Sequence, residues 1–586
     1  MPDHIERRIR MTLNQEPCDL AITNARVVDV FNCDIIPHAT VRIGDGVILS
    51  VDTQANTKAN ARTVVDANEH YLIPGLFDAH IHIESTMLTP EHFAAAVLPF
   101  GTTRVVADPH EIANIAGTEA LTYMLYASKN LPLSIHFALP SCVPCTPFED
   151  AGATLAADDL IAFMQNERVI SLGEVMNYPG VLACDSQMLA KIAAATAHHL
   201  AIDGHCPLAR GQELAAYIGC GVCNDHECST PEGLRLKLAA GIFIFLRIGS
   251  AVNALSKLVP AITPFNARRC CLCTDDMHAG DIMQHGHINV ILRQAVELGL
   301  PAPLAVSMAT INPAQAYGLS RVGAIAPGFI ADCCLVQDLT NFAVSAVWCS
   351  GKYVVQDGKL TIEIPRQPVP EKLCSSIHLA PFSDDMFTIP VHRKRVRIIV
   401  LKPHTLVTEE AIRPVATTEN GLFSAAANPG LCTLAVLDRH NASGRIGLGI
   451  LQGYAKPGTV LGGALATSIA HDSHNIVVAG SSEEDMKTAV QEVCAMQGGI
   501  AVVQNGCVLA RLALPVGGIM STEDAKRVAQ GNEEINAAAR RLNVCDDVDP
   551  VITLAFMSLC VIPAIKLNTR GLFDVNSWKF VDLCVD

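Results

Sequence analysis

Basic charge is in short supply in this 586-residue chain: 42 Lys and Arg face 58 Asp and Glu, a formal charge of −16 with a pI near 5.7. An acidic surface repels phosphate backbones, so no nucleic-acid partner is expected and a small-molecule enzyme fits better. Long apolar runs are also missing. The longest nearly uncharged stretch, Pro550 to Ile565, has 16 residues and a proline inside it, short of the roughly 20 that span a bilayer. It reads as buried core, and no membrane partner is expected. The first residues, MPDHIERRIRMTLNQEP, lack the apolar centre of a secretory signal, so the expected compartment is cytoplasmic. The 22 cysteines fall below the roughly 8–10% of a disulfide scaffold and read as reduced. Repeats at solenoid periods and low-complexity tracts are absent too. What remains is 50% hydrophobic with a mean hydropathy of +0.30, which excludes disorder and collagen and allows a large core.

Hydrophobic periodicity divides the chain. Within residues 1–70, Cys18 to about Val65 alternate apolar and polar in short runs with Asn and Gly-Asp-Gly turns, the pattern of antiparallel strands. Residues 71–322 repeat short apolar runs that end in ionisable residues and lead into Ala/Leu-rich helices, the rhythm of an α/β (β/α)8 barrel. Alternation returns over 323–370, so the two flanking segments are expected to build one small β-sandwich. After the Pro-rich linker IEIPRQPVPEKLC, residues 375–586 read as a separate C-terminal α/β or α+β domain.

The chemistry-bearing residues sit at the ends of the barrel runs. In PGLFDAHIHIE, residues two apart on an extended strand share a face, so His80, His82 and Glu84 are expected to project together. Two imidazoles and a carboxylate suit a divalent metal; the plain alternative is an exposed strand. Asp108 and His110, Glu174, His205, His226, and Asp275 with Asp276 close the later runs. Singly, each reads equally well as a core histidine or a helix cap. Jointly they would meet at the C-terminal mouth of a parallel barrel.

The strings PGLFDAHIHIEST, GTTRVVADPHEIANIAG, LGEVMN, IDGHCP, NDHE and CTDDMHAGDI, in that order, and the later HNASGRIGLGILQGY, HDSHNIVVAG, LPVGGIMS and IPAIKLNTRGLFDV, resemble the amidohydrolase superfamily in its adenine deaminase branch. The resemblance runs from about residue 20 to the C-terminus. It implies a binuclear centre in which His80, His82 and Asp275 hold one metal, His205 and His226 hold a second, and Glu174 bridges them where many relatives use a carboxylated lysine. It favours Mn²⁺ or Fe²⁺; the ligand types also accept Zn²⁺. The implied reaction is adenine plus water to hypoxanthine plus ammonia in purine salvage, with a metal-activated hydroxide attacking C6 and Asp275 shuttling the proton. A homodimer or larger homo-oligomer is implied as well.

Charge building on the purine ring nitrogens calls for a donor. The candidates are Glu84, Asp108, His110 and Glu111, with Asp276 and His278 at the rim of the substrate pocket; Glu84 is the first choice, because a shielded carboxyl keeps its proton. Glu84, Asp108 and His110 form an alternative third metal site. Cys220, Cys223 and Cys228 around His226 admit a zinc-knuckle reading, which would take His226 from the barrel. HDSHN (His471 to Asn475) reads as a second metal site, a lid, a domain interface or a turn. Met277 and Ala279 stand where Arg and Pro are more usual in relatives. The rival functions are another amidohydrolase acting on a cyclic amide, for which a Lys is expected at position 174, or on a different aminopurine, and a non-catalytic metal-binding barrel.

Overall fold

The computed structural model describes residues 2–53, 60–250, 252–383 and 385–586. Alternating β segments from both flanks of the barrel pair into one nine-stranded sheet. Cys18–Asp29 lies between Asp34–Gly44 and the parallel Ala61–Asp66 and Tyr71–Pro74. Tyr71–Pro74 in turn pairs with Cys333–Val336 from the far side of the barrel. Tyr71–Pro74 therefore belongs to this sheet, and the barrel's first strand starts at Leu76, beyond the Gly75 turn. The sheet curls so that its edge strand Val47–Asp52 reaches the segment leading into Cys333–Val336: Ile48 N–H donates to Phe329 O at 2.8 Å and Ala331 N–H to Gly46 O at 3.0 Å. Its inner face buries Ile22, Val41, Leu72 and Trp348.

Eight short parallel strands form the barrel: Leu76–Ile81, Thr102–Ala107, Ser134–Leu139, Val169–Val175, Ala201–Gly204, Asn224–Asp225, Phe243–Arg247 and Cys270–Cys273. They pair as a five-stranded and a three-stranded sheet. Cys223 N–H to Ile202 O at 3.0 Å joins the two on one side, and Asp275 N–H to His80 O at 3.0 Å closes the ring on the other. Buried on both faces, such strands favour near-continuous apolar runs, which is why VVA and CCLC lack a polar alternate. The three cysteines of the last strand are wholly buried and pack as small apolar residues.

The C-terminal domain is built on a second nine-stranded, mostly antiparallel sheet, with Leu431–Leu437 and Ile476–Gly480 at its centre and Glu483–Ala495 packed against one face. Pro550 opens a short buried helix, Pro550–Ala555. No helix among the described residues is long and apolar enough to cross a membrane. The domain docks on the barrel through Asp150, whose carboxylate accepts from Arg445, Thr569 and Arg570 at 2.9, 2.6 and 2.7 Å. Asn475 adds a bond to the Asp150 carbonyl at 2.6 Å.

Candidate metal centre

All the barrel strands but Ser134–Leu139 deliver an ionisable residue within a step or two of their C-terminal ends, and there the side chains converge. Glu174 stands at the centre. Its Oε1 lies 3.2 Å from His80 Nε2 and 2.7 Å from His82 Nε2, while its Oε2 lies 2.6 Å from His205 Nδ1 and 3.5 Å from His226 Nε2. Asp275 Oδ1 faces His80 and His82 at 3.4 and 3.2 Å. One carboxylate thus turns one oxygen to each of two ligand groups. Gly173 makes the approach possible: a Cβ there would stand 2.1 Å from Asp108 Oδ2, the atom that accepts the Glu174 N–H at 2.9 Å. Asp275 sits at φ 63°, a left-handed conformation that non-glycine residues adopt at a cost and that is concentrated at functional sites.

The donor set demands positive charge. His82 Nδ1 lies 2.9 Å from the Asp108 carbonyl, an acceptor, so Nδ1 carries the proton and Nε2 turns a lone pair toward Glu174 and Asp275. Lone pair and carboxylate at 2.7 Å repel unless a cation lies between them. His80 Nε2, His226 Nε2 and Glu174 Oε1 are buried without a hydrogen-bond partner, a costly state unless an ion satisfies them. The pull on positive charge shows in the imidazoles themselves, where a proton can stand in for the ion: burial works against a charged His80, yet Asp275 and Glu174 outweigh it and push the imidazole up to about 10, and at His82 burial is likewise outweighed, so that its Nε2 also draws a proton. His80, Glu174, His226 and Asp275 place ligand atoms within 4.8 Å of one another, as do His82, His110 and Glu174. Imidazoles and carboxylates in this number fit divalent ions of the Mn²⁺, Fe²⁺ or Zn²⁺ type.

Glu84 departs from the expectation. The strand ends at Ile81, and Ile83–Thr86 is a 3-10 turn; the two-residue period holds only while the backbone stays extended, so Glu84 does not share a strand face with His80 and His82. Its Oε1 accepts the Ile112 N–H at 3.2 Å and its Oε2 has no partner. Glu84, Asp108 and His110 do not form a compact ligand group among the described residues. Glu84 instead lines a cavity with Ser85, Glu111, Asp276 and His278. Burial and the charge of Glu111 push the Glu84 carboxyl up to about 7. Asp108 and His110 lie deeper, with His110 Nδ1 3.6 Å from Asp108 Oδ1. Met277 and Ala279 are buried and do not line the cavity.

Two neighbours, Glu227 and Arg247, carry no clear mark in the sequence, and a third, His471, is marked there without a defined role. Glu227 Oε1 lies 3.8 Å from both His205 Nε2 and His226 Nε2; its place beside His226 in NDHE is the only available signal. Arg247 bonds both Asp275 Oδ2 and, at 2.7 Å, Glu227, and nothing in its sequence context singles it out. His471, from HDSHN, reaches across the domain boundary to Glu111 at 3.0 Å. Cys220, Cys223 and Cys228 are free thiols, with Cys220 Sγ bonded to the Tyr217 carbonyl, and His226 belongs to the barrel cluster.

Comparison with known proteins gives a consistent result. Residues 71–354 match the amidohydrolase family and residues 405–579 match the adenine deaminase C-terminal domain. An adenine deaminase of Nitratidesulfovibrio vulgaris is 44% identical over 578 residues, covering 98% of each chain. One from Halalkalibacterium halodurans is 38% identical over 99% of this chain and 98% of its own, and adenine deaminase 2 of Carboxydothermus hydrogenoformans is 40% identical over 98% and 99%. Among solved structures, an enamidase of the amidohydrolase superfamily overlaps at a TM-score of 0.45 and 19% identity, covering 60% of this chain and 98% of that one, which adds nothing to the fold traced above.

Proposed function

This chain belongs to the adenine deaminase family of the amidohydrolase superfamily, and from that membership we propose how its residues carry out the reaction. The enzyme hydrolyses adenine to hypoxanthine and ammonia. The carrying observation is that a chain 44% identical to an adenine deaminase over 98% of its length brings its imidazoles and carboxylates together at one barrel mouth beside a cavity.

In this reading His80, His82 and Asp275 hold one divalent metal, His205 and His226 a second, and Glu174 gives one oxygen to each. The family resemblance supports Mn²⁺ or Fe²⁺ over Zn²⁺. Such a pair, when bound, supplies the charge that makes a water acidic near neutral pH. Asp275 takes the proton from the water that adds to C6 and returns it to the departing amino group; its Oδ2 is anchored by Arg247, which leaves Oδ1 on the reacting side. Glu84 donates to a ring nitrogen as charge builds there, and its unpartnered Oε2 supports that role. Asp108 supports the bridge from beneath through the Glu174 N–H, with His110 beside it. Asp276, Glu111 and His278 line the substrate pocket. A glutamate at position 174 gives the cyclic-amide reading no support. A cytoplasmic location and a homodimeric or larger assembly complete the proposal, both carried over from the family resemblance.

The test is ammonia release from adenine by protein loaded with Mn²⁺ or Fe²⁺, with adenosine, cytosine and hydantoin as comparators and Glu174→Ala as the control. Turnover of adenine alone, lost in the variant, is the expected result. Turnover of hydantoin and not adenine overturns the substrate assignment while leaving the metal reading intact.

A further inference from the structure

The cavity beside the metal cluster has two unlike walls. Its polar wall comes from the barrel, while Ile469, Ile519, Val551 and Phe556 of the C-terminal domain supply an apolar one. A planar, weakly polar ring needs both, an apolar face to lie against and polar groups at its edges. Among the described residues that line the cavity, His471 is the only polar side chain the C-terminal domain provides.

His471 is held in a single pose. Its ring lies against Phe556 with centroids 4.2 Å apart and planes 20° apart. Its backbone N–H donates to the Ala555 carbonyl at 2.9 Å. Its Nδ1 lies 3.0 Å from Glu111 Oε1, an oxygen that also accepts from the Ser85 hydroxyl at 3.0 Å. The other Glu111 oxygen faces His474 Nε2 at 3.6 Å. The Ala470 N–H donates to His474 Nδ1 at 3.2 Å, so the His474 proton resides on Nε2 and points at Glu111. That tautomer leaves no lone pair on Nε2, so the group is not a metal site but a clamp in which Glu111 pairs with His471 and is faced on its other oxygen by His474. With Nδ1 committed to Glu111, the remaining polar atom of His471 is Nε2, which has no partner among the described residues. Ser85 donates to Glu111 and Asp276 and Ser250 to Asp281, so neither hydroxyl is free to reach a ligand. Burial opposes a charge on His471, but Glu111 more than offsets it and holds the imidazole at about 9, protonated on both nitrogens at neutral pH.

Resting on the adenine deaminase reading, we propose that His471 is a substrate-contacting residue: its Nε2–H donates to an acceptor nitrogen of the purine other than N1, either N3 or N7. The docked C-terminal domain thereby completes the specificity pocket, and the Glu111 clamp with His474 fixes the donor's direction. In the sequence, His471 lies 360 positions after Glu111, so only docking brings the two together.

The test pairs one variant with three ligands. His471→Phe keeps the stack on Phe556 and removes the donor. The readouts are KM for adenine and competitive Ki for 3-deazaadenine and 7-deazaadenine, each for the metal-loaded wild type and the variant. A hydrogen bond from a charged donor corresponds to roughly 10–100-fold in binding. The expected result is that loss for adenine and for the analogue that retains the contacted nitrogen, with kcat less affected and no change for the analogue that lacks it. An equal penalty on all three ligands overturns the proposal and leaves His471 a positioning residue for Glu111. His474→Gln loosens the clamp that aims the donor, so it should weaken the same ligands as His471→Phe, by a smaller factor, and leave the analogue that lacks the contacted nitrogen unchanged. Should His471→Phe fail to fold, the wild type alone decides: one deaza analogue must bind about 10-fold or more weaker than the other, and equal affinities overturn the proposal. A wild type that binds the analogues but does not deaminate adenine would instead sink the functional reading on which this one rests.

Discussion

Glu174→Gln removes one negative charge from the centre of the ligand cluster without changing its shape. At the 2.7 Å separation of His82 Nε2 and Glu174 Oε1, a unit positive charge and the carboxylate interact with about 6 kcal/mol at an effective dielectric near 20. Desolvation cancels about half of that, which leaves about 3 kcal/mol, or roughly 100-fold in affinity for each ion. The geometry also says which group suffers more. The His82 Nε2 lone pair welcomes an amide N–H, so the nitrogen of the substituted amide settles on the His80 and His82 side and its oxygen stays with His205 and His226. The expected outcome is a fall from two metals per chain to one or fewer by elemental analysis, with ammonia release down about 10³-fold or more once the second ion is lost. Two retained metals with more than a tenth of wild-type activity would refute the bridging role and the charge argument together.

Three further outcomes follow from the same geometry. Glu84 holds its proton below the value of about 7 set by burial and Glu111 and loses it above, so kcat/KM should fall as pH rises through about 7, and Glu84→Gln should abolish that limb; a pH–rate profile with the limb intact in the variant points to another group. Asp275→Asn should lower kcat by about 10²–10⁴-fold with KM little changed, and a pure KM effect in steady-state kinetics would remove it from the proton path. At Asp150 burial favours the neutral acid, but the bonds from Arg570, Thr569 and Arg445 hold the carboxyl below its usual range. Its contribution to docking is thus full above about pH 4 and is lost as pH falls through the lowered value. Asp150→Ala should destabilise the enzyme by about 1–3 kcal/mol at neutral pH and raise KM for adenine, and a calorimetric difference that persists undiminished in acid would contradict the assignment.

The barrel was legible because most of its strands, buried on both faces, are short and largely apolar, and because the ligands stand at or just past the ends of those runs. That placement alone marked His80, His82, Asp108, Glu174, His205, His226 and Asp275 as neighbours without any knowledge of pairing. The curled sheet was legible for a related reason, since alternation on both flanks left two sets of strand edges that only each other could satisfy. Glu84 misled because a period of two is a property of extended backbone, and a 3-10 turn replaces it after Ile81. Arg247 left no mark, since an arginine at a strand end is commonplace until the fold closes the barrel and sets it between Asp275 and Glu227.

Local sequence determined which residues carry the chemistry, because strand periodicity and chain direction are set by neighbours a few positions apart. Only the tertiary structure decided what they do together. Glu174 becomes a bridge because barrel closure turns its two oxygens to different imidazoles. Glu111 meets His471 and His474 because the Asp150 clamp docks a domain that begins more than 200 residues further along the chain. Contacts at that separation leave no periodic trace in the sequence; they exist once burial of the two surfaces against each other outweighs the entropy of holding them in place.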